Sequence, residues 1–197
     1  MKIILASGSP RRRQLMEQAG FAFEVITSNA DETITGEPHE QVEALAIRKA
    51  QAVRPQVEGE AVIIAADTLV AVNGQVLGKP ADAQEAFEML NLLQSHGHTV
   101  FTGVALIKTG SSGDELHSFV ASTDVSFRPL TDNEIHAYIA TGEPFDKAGA
   151  YGIQEGAGCF VEHVDGEFTT VVGLPMPQLC AALGKFGFEC SWNHQKS

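Results

Sequence analysis

The sequence lacks the hydrophobic segments that anchor a protein in a membrane. No apolar run approaches the ~18 residues that a membrane-spanning helix needs. The first residues do not form a basic segment followed by an apolar stretch and a cleavage site, as a secretory signal would. We therefore expect a cytoplasmic protein without a membrane partner.

Positive charge is also scarce. The chain has 13 lysines and arginines against 25 aspartates and glutamates, and its formal net charge is −12. Affinity for a nucleic-acid backbone comes mainly from clustered positive charge, so this balance argues against a nucleic-acid partner. Any phosphate ligand would have to be bound by a local cationic pocket.

Cysteine occurs three times, at the widely spaced positions Cys159, Cys180 and Cys190. This odd number and wide spacing fit neither a disulfide framework nor a CxxC metal site. We expect all three thiols to be reduced and to take no part in function.

Apolar residues, by contrast, make up 44% of the 197 positions, which is enough for a substantial core and excludes a disordered chain. Short β-branched segments, amphipathic helical patterns, hairpin turns and longer crossovers are mixed along the sequence. This mixture predicts an α/β fold with a mixed, twisted β-sheet and flanking helices. We expect a single domain over residues 1–190 and a polar C-terminal tail over residues 191–197.

Periodicity and turn residues predict the individual elements. Strands are expected at 2–6, 21–27, 61–66, 69–72, 75–77, 99–108 and 116–127, and helices at 10–19, 38–53, 83–93, 131–140 and 176–186. The dipeptides Asn73-Gly74 and Asp165-Gly166 each predict a hairpin, and residues 110–113 predict the turn that joins the last two strands.

The junction between the first strand and the first helix carries a Gly-Ser-Pro turn followed by three arginines. A helix that begins at Pro10 presents unpaired backbone N–H groups and the positive end of its dipole, which together bind anions. Ser7–Ser9 allow a close approach, and Arg11 and Arg12 offer forked donors to phosphate oxygens. Arg13 is predicted to face solvent. The alternative is a capped helix whose arginines are all exposed.

Asp67 is predicted to end the buried strand at 61–66, and ligands of open α/β sheets gather beyond the carboxyl ends of strands. A carboxylate at this place can hold a divalent metal or deprotonate a water molecule. The alternative is a helix cap or a turn residue. That alternative is weakened because no helical pattern follows in Thr68–Val70.

Further charged candidates lie in loops and on a helix. Asp31-Glu32 follows the second predicted strand and is either an exposed acidic loop or part of a metal site. If Glu32 folds near Asp67, the two carboxylates make the incomplete oxygen shell that magnesium takes when phosphates supply its other ligands. Lys49 is either a solvated lysine on the second helix or a phosphate ligand. Lys79 occupies a constrained Gly-Lys-Pro turn that gives its side chain a fixed direction.

Together these motifs resemble the Maf family of nucleoside triphosphate pyrophosphatases, also described as septum-formation inhibitor homologues. Seven blocks in family order carry the resemblance and extend over residues 5–175. They are LASGSPRR (5–12), DE (31–32), KA (49–50), AADTLV (65–70), LGKP (77–80), DKAGAYGIQ (146–154) and VVGLP (171–175).

The resemblance implies an ITPase-like fold with two lobes around a nucleotide-binding cleft, and a homodimer. It also implies a reaction in which a nucleoside triphosphate and water give a nucleoside monophosphate and diphosphate, with magnesium or manganese as cofactor. Nucleotide-pool sanitation and control of cell division are the cellular roles that go with it.

Residue roles follow from the resemblance block by block. Asp67 falls on the family's proton acceptor, and Glu32 and Asp67 fall on its metal ligands. The matched substrate-binding positions are Ser7, Arg11, Arg12, Lys49 and Lys79. The positions linked to base choice are Arg11, Thr68 and Gln154.

The intact DKAGAYGIQ block indicates the substrate. The resemblance associates this form with dTTP and UTP, and a different sequence at this place with 7-methyl-GTP. The Gln154 amide can offer one donor and one acceptor to the edge of a uracil or thymine ring. Glu155 follows where the family often has glycine, and its charge would weaken triphosphate binding if it faced the pocket.

Two alternatives stay open. A pyrophosphatase acting on 7-methyl-GTP or a modified nucleotide would keep the chemistry and change the base. A non-hydrolysing nucleotide sensor that regulates septation would need only the phosphate-binding residues. Asp67 and Glu32 favour the enzyme, because a pure binder gains nothing from carboxylates beside a polyanion.

Overall fold

A computed structural model describes residues 1–111 and 113–191 of the chain. Within these ranges the strands are β1 (Lys2–Leu5), β2 (Phe23–Val25), β3 (Ala61–Val72), β4 (Gln75–Leu77), β5 (His98–Lys108), β6 (Glu115–Phe127) and β7 (Val161–Asp165). The α-helices are α1 (Pro10–Gln18), α2 (Pro38–Val53), α3 (Ala83–Ser95), α4 (Asp132–Ile139), α5 (Phe168–Val172) and α6 (Met176–Gly184). Short 3-10 helices lie at Arg54–Gln56, Glu143–Asp146, Ala148–Ala150 and Gly156–Phe160.

In the described residues, the strands form a seven-stranded sheet with the order β2-β1-β3-β5-β6-β7, and β4 pairs with β3. β1 is parallel to β2 and to β3, whereas the β3–β4 and β6–β7 pairs are antiparallel. Helices separate the parallel strands along the chain, as crossover connections require. This arrangement confirms the predicted α/β fold with a mixed sheet.

The chain divides into two compact units. The first comprises Met1–Asp67, Thr102–Ala121 and the chain from Gly173 onward. The second comprises Thr68–Phe101 and Ser122–Val172. Each unit has its own cluster of buried apolar side chains.

In the first unit, the core forms where α2 packs on the sheet. The apolar stripe predicted from the helical period is buried and consists of Val42, Leu45, Ala46, Ala50 and Val53. Part of this stripe shares a cluster with Ile4 of β1 and Ile63 of β3. Gly103 of β5 permits a close approach of the helix, because a Cβ at this position would collide with the Val42 backbone. The side chains on α2 are therefore carried by a rigid support.

In the second unit, the core is rich in aromatic side chains. Phe127 and Tyr151 pack with ring centroids 4.9 Å apart, and Tyr138 of α4 packs on Phe160 at 5.3 Å. α4 opens with the predicted capping box, in which Thr131 and Glu134 bond to each other's backbone N–H groups. This box fixes the start of the helix that carries Tyr138.

Asp67 does not end its strand, so this part of the prediction is wrong. β3 continues to Val72, because Val70–Val72 pair with Gln75–Leu77 of β4. The predicted Asn73-Gly74 turn closes this hairpin, and both of its residues have positive φ. Asp67 therefore lies inside a strand of 12 residues, at the point where the first unit ends.

The predicted hairpin at Asp165-Gly166 is also wrong. β7 ends at Asp165, and the short helix α5 follows it in place of a returning strand. The partner of β7 is β6, which precedes it in the sequence. The Glu167 carbonyl accepts a hydrogen bond from Thr123 Oγ1 of β6 at 2.9 Å, and this contact turns the chain into α5.

Cys180 and Cys190 form a disulfide, so the prediction of three reduced thiols is wrong for this pair. α6 carries Cys180, and the chain reverses after it through a bond from the Phe188 N–H to the Leu183 carbonyl at 3.1 Å. This reversal brings the two Cα atoms to 6.2 Å, within the usual range for a disulfide. Cys159 has a free, exposed thiol, as predicted.

Two predictions fall partly outside the described residues. The turn at 110–113 includes Ser112, and the tail at 191–197 is described only at Ser191. A single domain over residues 1–190 stays a prediction. Across the described part of the chain, no helix is both long enough and apolar enough to cross a membrane.

Candidate active site

The turn between β1 and α1 is built by its serines. Ser9 caps α1, because its side-chain oxygen accepts a hydrogen bond from the Arg12 backbone N–H at 3.4 Å. Ser7 Oγ accepts from the Ser9 N–H at 3.2 Å, and Ser7 is buried. Pro10 occupies the first helical position, where its missing N–H costs nothing. The predicted strand-to-helix junction is therefore present.

The Arg12 side chain is held in place within the first unit. Its Nε donates to the Gly173 carbonyl at 2.7 Å, and its Nη1 donates to Ser7 Oγ at 3.3 Å. Burial lowers the pKa of the Arg12 guanidinium, and the negative charge of Asp67 opposes that shift. Arg12 stays cationic, because an arginine side chain keeps its proton in proteins. The VVGLP block thus serves to orient an arginine.

The two neighbouring arginines differ in exposure. Arg13 is exposed, as its position on the helix predicts, whereas Arg11 is half-buried. The positive charge of Arg11 further lowers the pKa of Arg12, so the two guanidinium groups lie close enough to interact. Two adjacent cations at a helix N-terminus form a favourable environment for an anion.

Lys49 of α2 joins two carboxylates. Its Nζ lies 2.6 Å from Asp67 Oδ1 and 2.8 Å from Glu32 Oε1. The side chains of Lys49 and Asp67 are 13% and 10% exposed, whereas that of Glu32 is 63% exposed. The cluster therefore consists of a nearly buried ion pair and one carboxylate that faces solvent. The structure thus places Glu32 and Asp67 at one ammonium group.

These donors suit a hard divalent cation. Asp67 and Glu32, which both contact the Lys49 ammonium group, carry carboxylate oxygens. Magnesium takes such oxygens from a protein when phosphates and waters complete its shell. Across residues 1–111 and 113–191, no group of three or more His, Cys, Asp or Glu side chains is placed to hold a metal ion. Glu32 and Asp67 therefore supply the oxygen donors of a partial magnesium or manganese shell.

Arg48 positions the loop that carries Glu32, a role that the sequence did not reveal. Its Nη1 donates to the carbonyls of Asp31 at 2.7 Å and Thr33 at 3.1 Å, on either side of Glu32. Asp31 Oδ1 accepts from the Thr33 N–H at 2.9 Å, and this bond lowers the pKa of Asp31. Arg48 and Lys49 are consecutive on α2, so one residue binds the loop backbone and the next binds its carboxylate.

The remaining predicted residues lie in the second unit. Thr68 is half-buried in β3, and Gln154 is exposed in a turn. Lys79 is exposed in the segment without regular structure between β4 and α3. The LGKP and DKAGAYGIQ blocks meet here, because the Gly149 N–H donates to the Gly78 carbonyl at 3.0 Å. The segments that carry Lys79 and Gln154 are therefore adjacent, although they lie far apart in sequence.

Comparison with known proteins gives a consistent result. The family model described as Maf-like protein matches residues 2–186. The dTTP/UTP pyrophosphatase of Pelotomaculum thermopropionicum is 48% identical over 190 residues, which cover 95% of this chain and 98% of that protein. The dTTP/UTP pyrophosphatase of Bacillus cytotoxicus is 48% identical over 187 residues, covering 94% and 95%. That of Bacillus cereus is 46% identical over 190 residues, covering 95% and 97%.

Among solved structures, the Ham1 protein of Staphylococcus aureus is similar to this chain. The TM-score is 0.50, and the match covers 94% of this chain and 100% of that chain. The sequences are 14% identical, so the likeness shows the fold alone.

Proposed function

The chain belongs to the Maf family, and on this premise we propose that it is a nucleoside triphosphate pyrophosphatase that hydrolyses dTTP and UTP to the monophosphate and diphosphate. The observation that carries the chemistry is the cluster in which Lys49 joins Asp67 and Glu32. The names of the similar bacterial proteins support dTTP and UTP as substrates. The match over residues 2–186 confirms the family prediction.

In this proposal, arginine and lysine side chains bind the triphosphate. Arg12 is fixed by Gly173 and Ser7, so its guanidinium has a set direction before substrate arrives. Arg11 and the positive end of the α1 dipole add positive potential beside it. Lys49 and Lys79 complete the set that neutralises charge on the departing pyrophosphate, and Lys79 is assigned from the resemblance alone.

Asp67 is proposed to accept the proton of the attacking water. Its side chain is 10% exposed and bonded to Lys49, which fixes the direction of the carboxylate. The water oxygen forms a bond to the α-phosphorus, and the bond from that phosphorus to the oxygen bridging to the β-phosphate breaks. Pyrophosphate leaves with the bridging oxygen, and the proton on Asp67 passes to solvent.

Glu32 and Asp67 would hold magnesium or manganese, with phosphate oxygens of the substrate completing the shell. When bound, the cation would neutralise negative charge on those phosphate oxygens. Arg48 keeps Glu32 within reach, because it binds the backbone on both sides of that residue. Lys49 lies between the two carboxylates and offsets their mutual repulsion.

Base choice is assigned to Arg11, Thr68 and Gln154 from the resemblance. The Gln154 amide oxygen accepts from the ring N3–H of uracil or thymine, and its NH₂ donates to the carbonyl oxygen at C4 of the same ring. Cytosine carries an unprotonated N3 and an amino group at the same positions. An amide held in one orientation therefore meets like groups on cytosine, which disfavours that base.

The wider sequence predictions are retained as part of this proposal. They are nucleotide-pool sanitation, an influence on cell division, a cytoplasmic location, a homodimer and the absence of a nucleic-acid partner. None of them is needed for the chemistry of the cluster.

The reaction is tested with the purified protein, magnesium or manganese, and a panel of dTTP, UTP, CTP, GTP and 7-methyl-GTP in ¹⁸O-labelled water. We expect pyrophosphate release from dTTP and UTP, with the label appearing in the monophosphate because water attacks the α-phosphorus. Label in pyrophosphate would contradict the proposed step. Release from 7-methyl-GTP alone would change the substrate, and tight binding without release across the panel would favour a sensor.

A further inference from the structure

The lysine of the DKAGAYGIQ block is buried and fully engaged. Lys147 is 5% exposed, and its Nζ lies 2.7 Å from the Glu143 carbonyl, from Asp146 Oδ1 and from Glu155 Oε2. An ammonium group has three N–H donors, so these oxygens satisfy all of them. Burial of such a charge is costly unless it is paired and hydrogen-bonded. Lys147 therefore acts within the fold and not as a phosphate ligand.

The turn that carries Gln154 rests on this lysine. The Glu155 N–H donates to the Gly152 carbonyl at 3.1 Å, so residues 152–155 form a β-turn with Gln154 at its third position. The Glu155 carboxylate, next to Gln154, is the one that pairs with Lys147. Its charge is thereby compensated inside the second unit.

Two further bonds hold the same turn at its ends. Tyr138 Oη accepts from the Gly152 N–H at 3.3 Å, and Glu143 Oε2 accepts from the Gly156 N–H at 3.0 Å. Glu143 also supplies the carbonyl that Lys147 binds. The turn is therefore fixed before and after Gln154, whose own side chain is left exposed.

Gly152 shows how closely the turn lies on the lysine. A Cβ at this position would lie 2.6 Å from Lys147 Cε and 2.9 Å from Lys147 Cδ, so no larger side chain fits without displacing the lysine stem. The same Cβ would lie 3.3 Å from Glu155 Oε2. The glycine is thus required by the close approach of the turn to the ion pair.

We propose that the Lys147–Glu155 ion pair positions Gln154 and thereby sets the selectivity for uracil and thymine over cytosine. The inference rests on the proposed function, in which Gln154 reads the base. An amide distinguishes uracil from cytosine only if its oxygen and nitrogen are held in one place and direction. Glu155, which stands where the family often has glycine, supplies a side-chain anchor for that turn.

Glu155→Ala tests the proposal through the ratio of kcat/KM for UTP to that for CTP, two substrates that differ only in the base. We expect the ratio to fall about tenfold or more, the size that one bidentate hydrogen-bonded pair contributes to base discrimination. The kcat with UTP should change by less than about threefold, because the ion pair touches no phosphate-binding residue. Glu155→Gln, which keeps an acceptor for Lys147, should restore part of the ratio.

Two further variants distinguish a failure of base reading by Gln154 from a failure of the positioning role of Glu155. Gln154→Ala should lower the ratio, and Gln154→Ala combined with Glu155→Ala should lower it no further, because both changes act through the same amide. A ratio unaffected by Gln154→Ala would contradict the assigned base reading. A ratio lowered by Gln154→Ala but not by Glu155→Ala would overturn the positioning role alone. Exposed Glu162→Ala in β7 is the matched control, and thermal unfolding shows that each variant is folded.

Discussion

Each compact unit contains a largely buried lysine that faces two carboxylates, but the two lysines have different surroundings. Lys147 in the second unit bonds to a backbone carbonyl as well as to Asp146 and Glu155, so its donors are used within the fold. Among the described residues, the polar contacts of Lys49 in the first unit are the carboxylates of Asp67 and Glu32.

The carboxylates differ as well. Of the partners of Lys49, Asp67 is 10% and Glu32 is 63% exposed, whereas the partners of Lys147 are 70% and 33% exposed. A buried carboxylate held by an ammonium group is an arrangement suited to chemistry, because the carboxylate has a fixed direction before substrate binds. An ammonium group whose three N–H donors all hold a turn in place is suited to positioning. Under the proposed function, the comparison therefore links Lys49 to hydrolysis and Lys147 to base choice.

The largest effect should come from Asp67→Asn. Loss of the proton acceptor is expected to lower kcat about 100-fold or more with both dTTP and UTP, since general-base catalysis contributes on this scale. The fold should persist, because asparagine keeps the shape and an acceptor for Lys49. Pyrophosphate release measures the effect. The matched control is Asp165→Asn, because Asp165 is an exposed residue of β7. Retention of more than about a tenth of the turnover would reject this role for Asp67.

A smaller effect is expected from Arg48→Gln, which frees the loop around Glu32. The magnesium concentration for half-maximal activity should rise about tenfold, because residues that orient metal ligands affect metal affinity on this scale. The kcat at saturating magnesium should change little. Arg54→Gln is the control, since Arg54 pairs with the exposed Asp114 and contacts no residue of the cluster. An unchanged magnesium requirement in Arg48→Gln would show that the loop needs no anchor.

The smallest effect concerns His98 in the second unit and should appear in stability alone. His98 is 2% exposed and its Nε2 lies 2.8 Å from Tyr151 Oη. Burial lowers its pKa to about 4, and the charge of Asp124 opposes that shift. Between about 4 and the ordinary value of about 6.5, the unfolded chain binds more protons than the folded chain. Stability should therefore fall as the pH drops through this range, by at most about 3 kcal/mol from this group.

Denaturant unfolding of wild type and His98→Gln across pH 4 to 7 isolates this contribution. The difference between the two free energies of unfolding should shrink as the pH falls. A constant difference would mean that His98 does not titrate between pH 4 and 7. This result would contradict the lowered pKa of His98 in the folded protein.

Local patterns predicted the elements that local physics governs. The apolar stripe of α2 and the Asn73-Gly74 turn depend on neighbours in sequence, and both are present. Asp67 is predicted to end the buried strand at 61–66, but the strand continues to Val72, because its continuation depends on pairing with β4. Cys180 and Cys190 were missed for a similar reason, since only the chain reversal after α6 brings them together.

The candidate site shows the same limit. The sequence predicts a metal site only if Glu32 folds near Asp67, because no local pattern shows which loop approaches which strand. Arg48 and Lys147 were not selected at all. Both act on backbone carbonyls as well as on charged groups, and carbonyl acceptors leave no mark in a sequence. The resemblance supplied the residue types of the site, and the structure supplied the groups that hold them.

The proposed roles of Lys49 and Lys147 are tested most directly by replacing each lysine with methionine and measuring kcat/KM for UTP and CTP. Lys49→Met should lower both values by about 100-fold and leave their ratio unchanged, because it removes charge stabilisation that every triphosphate needs. Lys147→Met should leave the kcat with UTP within about threefold of wild type and lower the UTP-to-CTP ratio about tenfold. Equal losses on both nucleotides from Lys147→Met, or a changed ratio from Lys49→Met, would contradict the proposed roles of Lys49 in hydrolysis and of Lys147 in base choice.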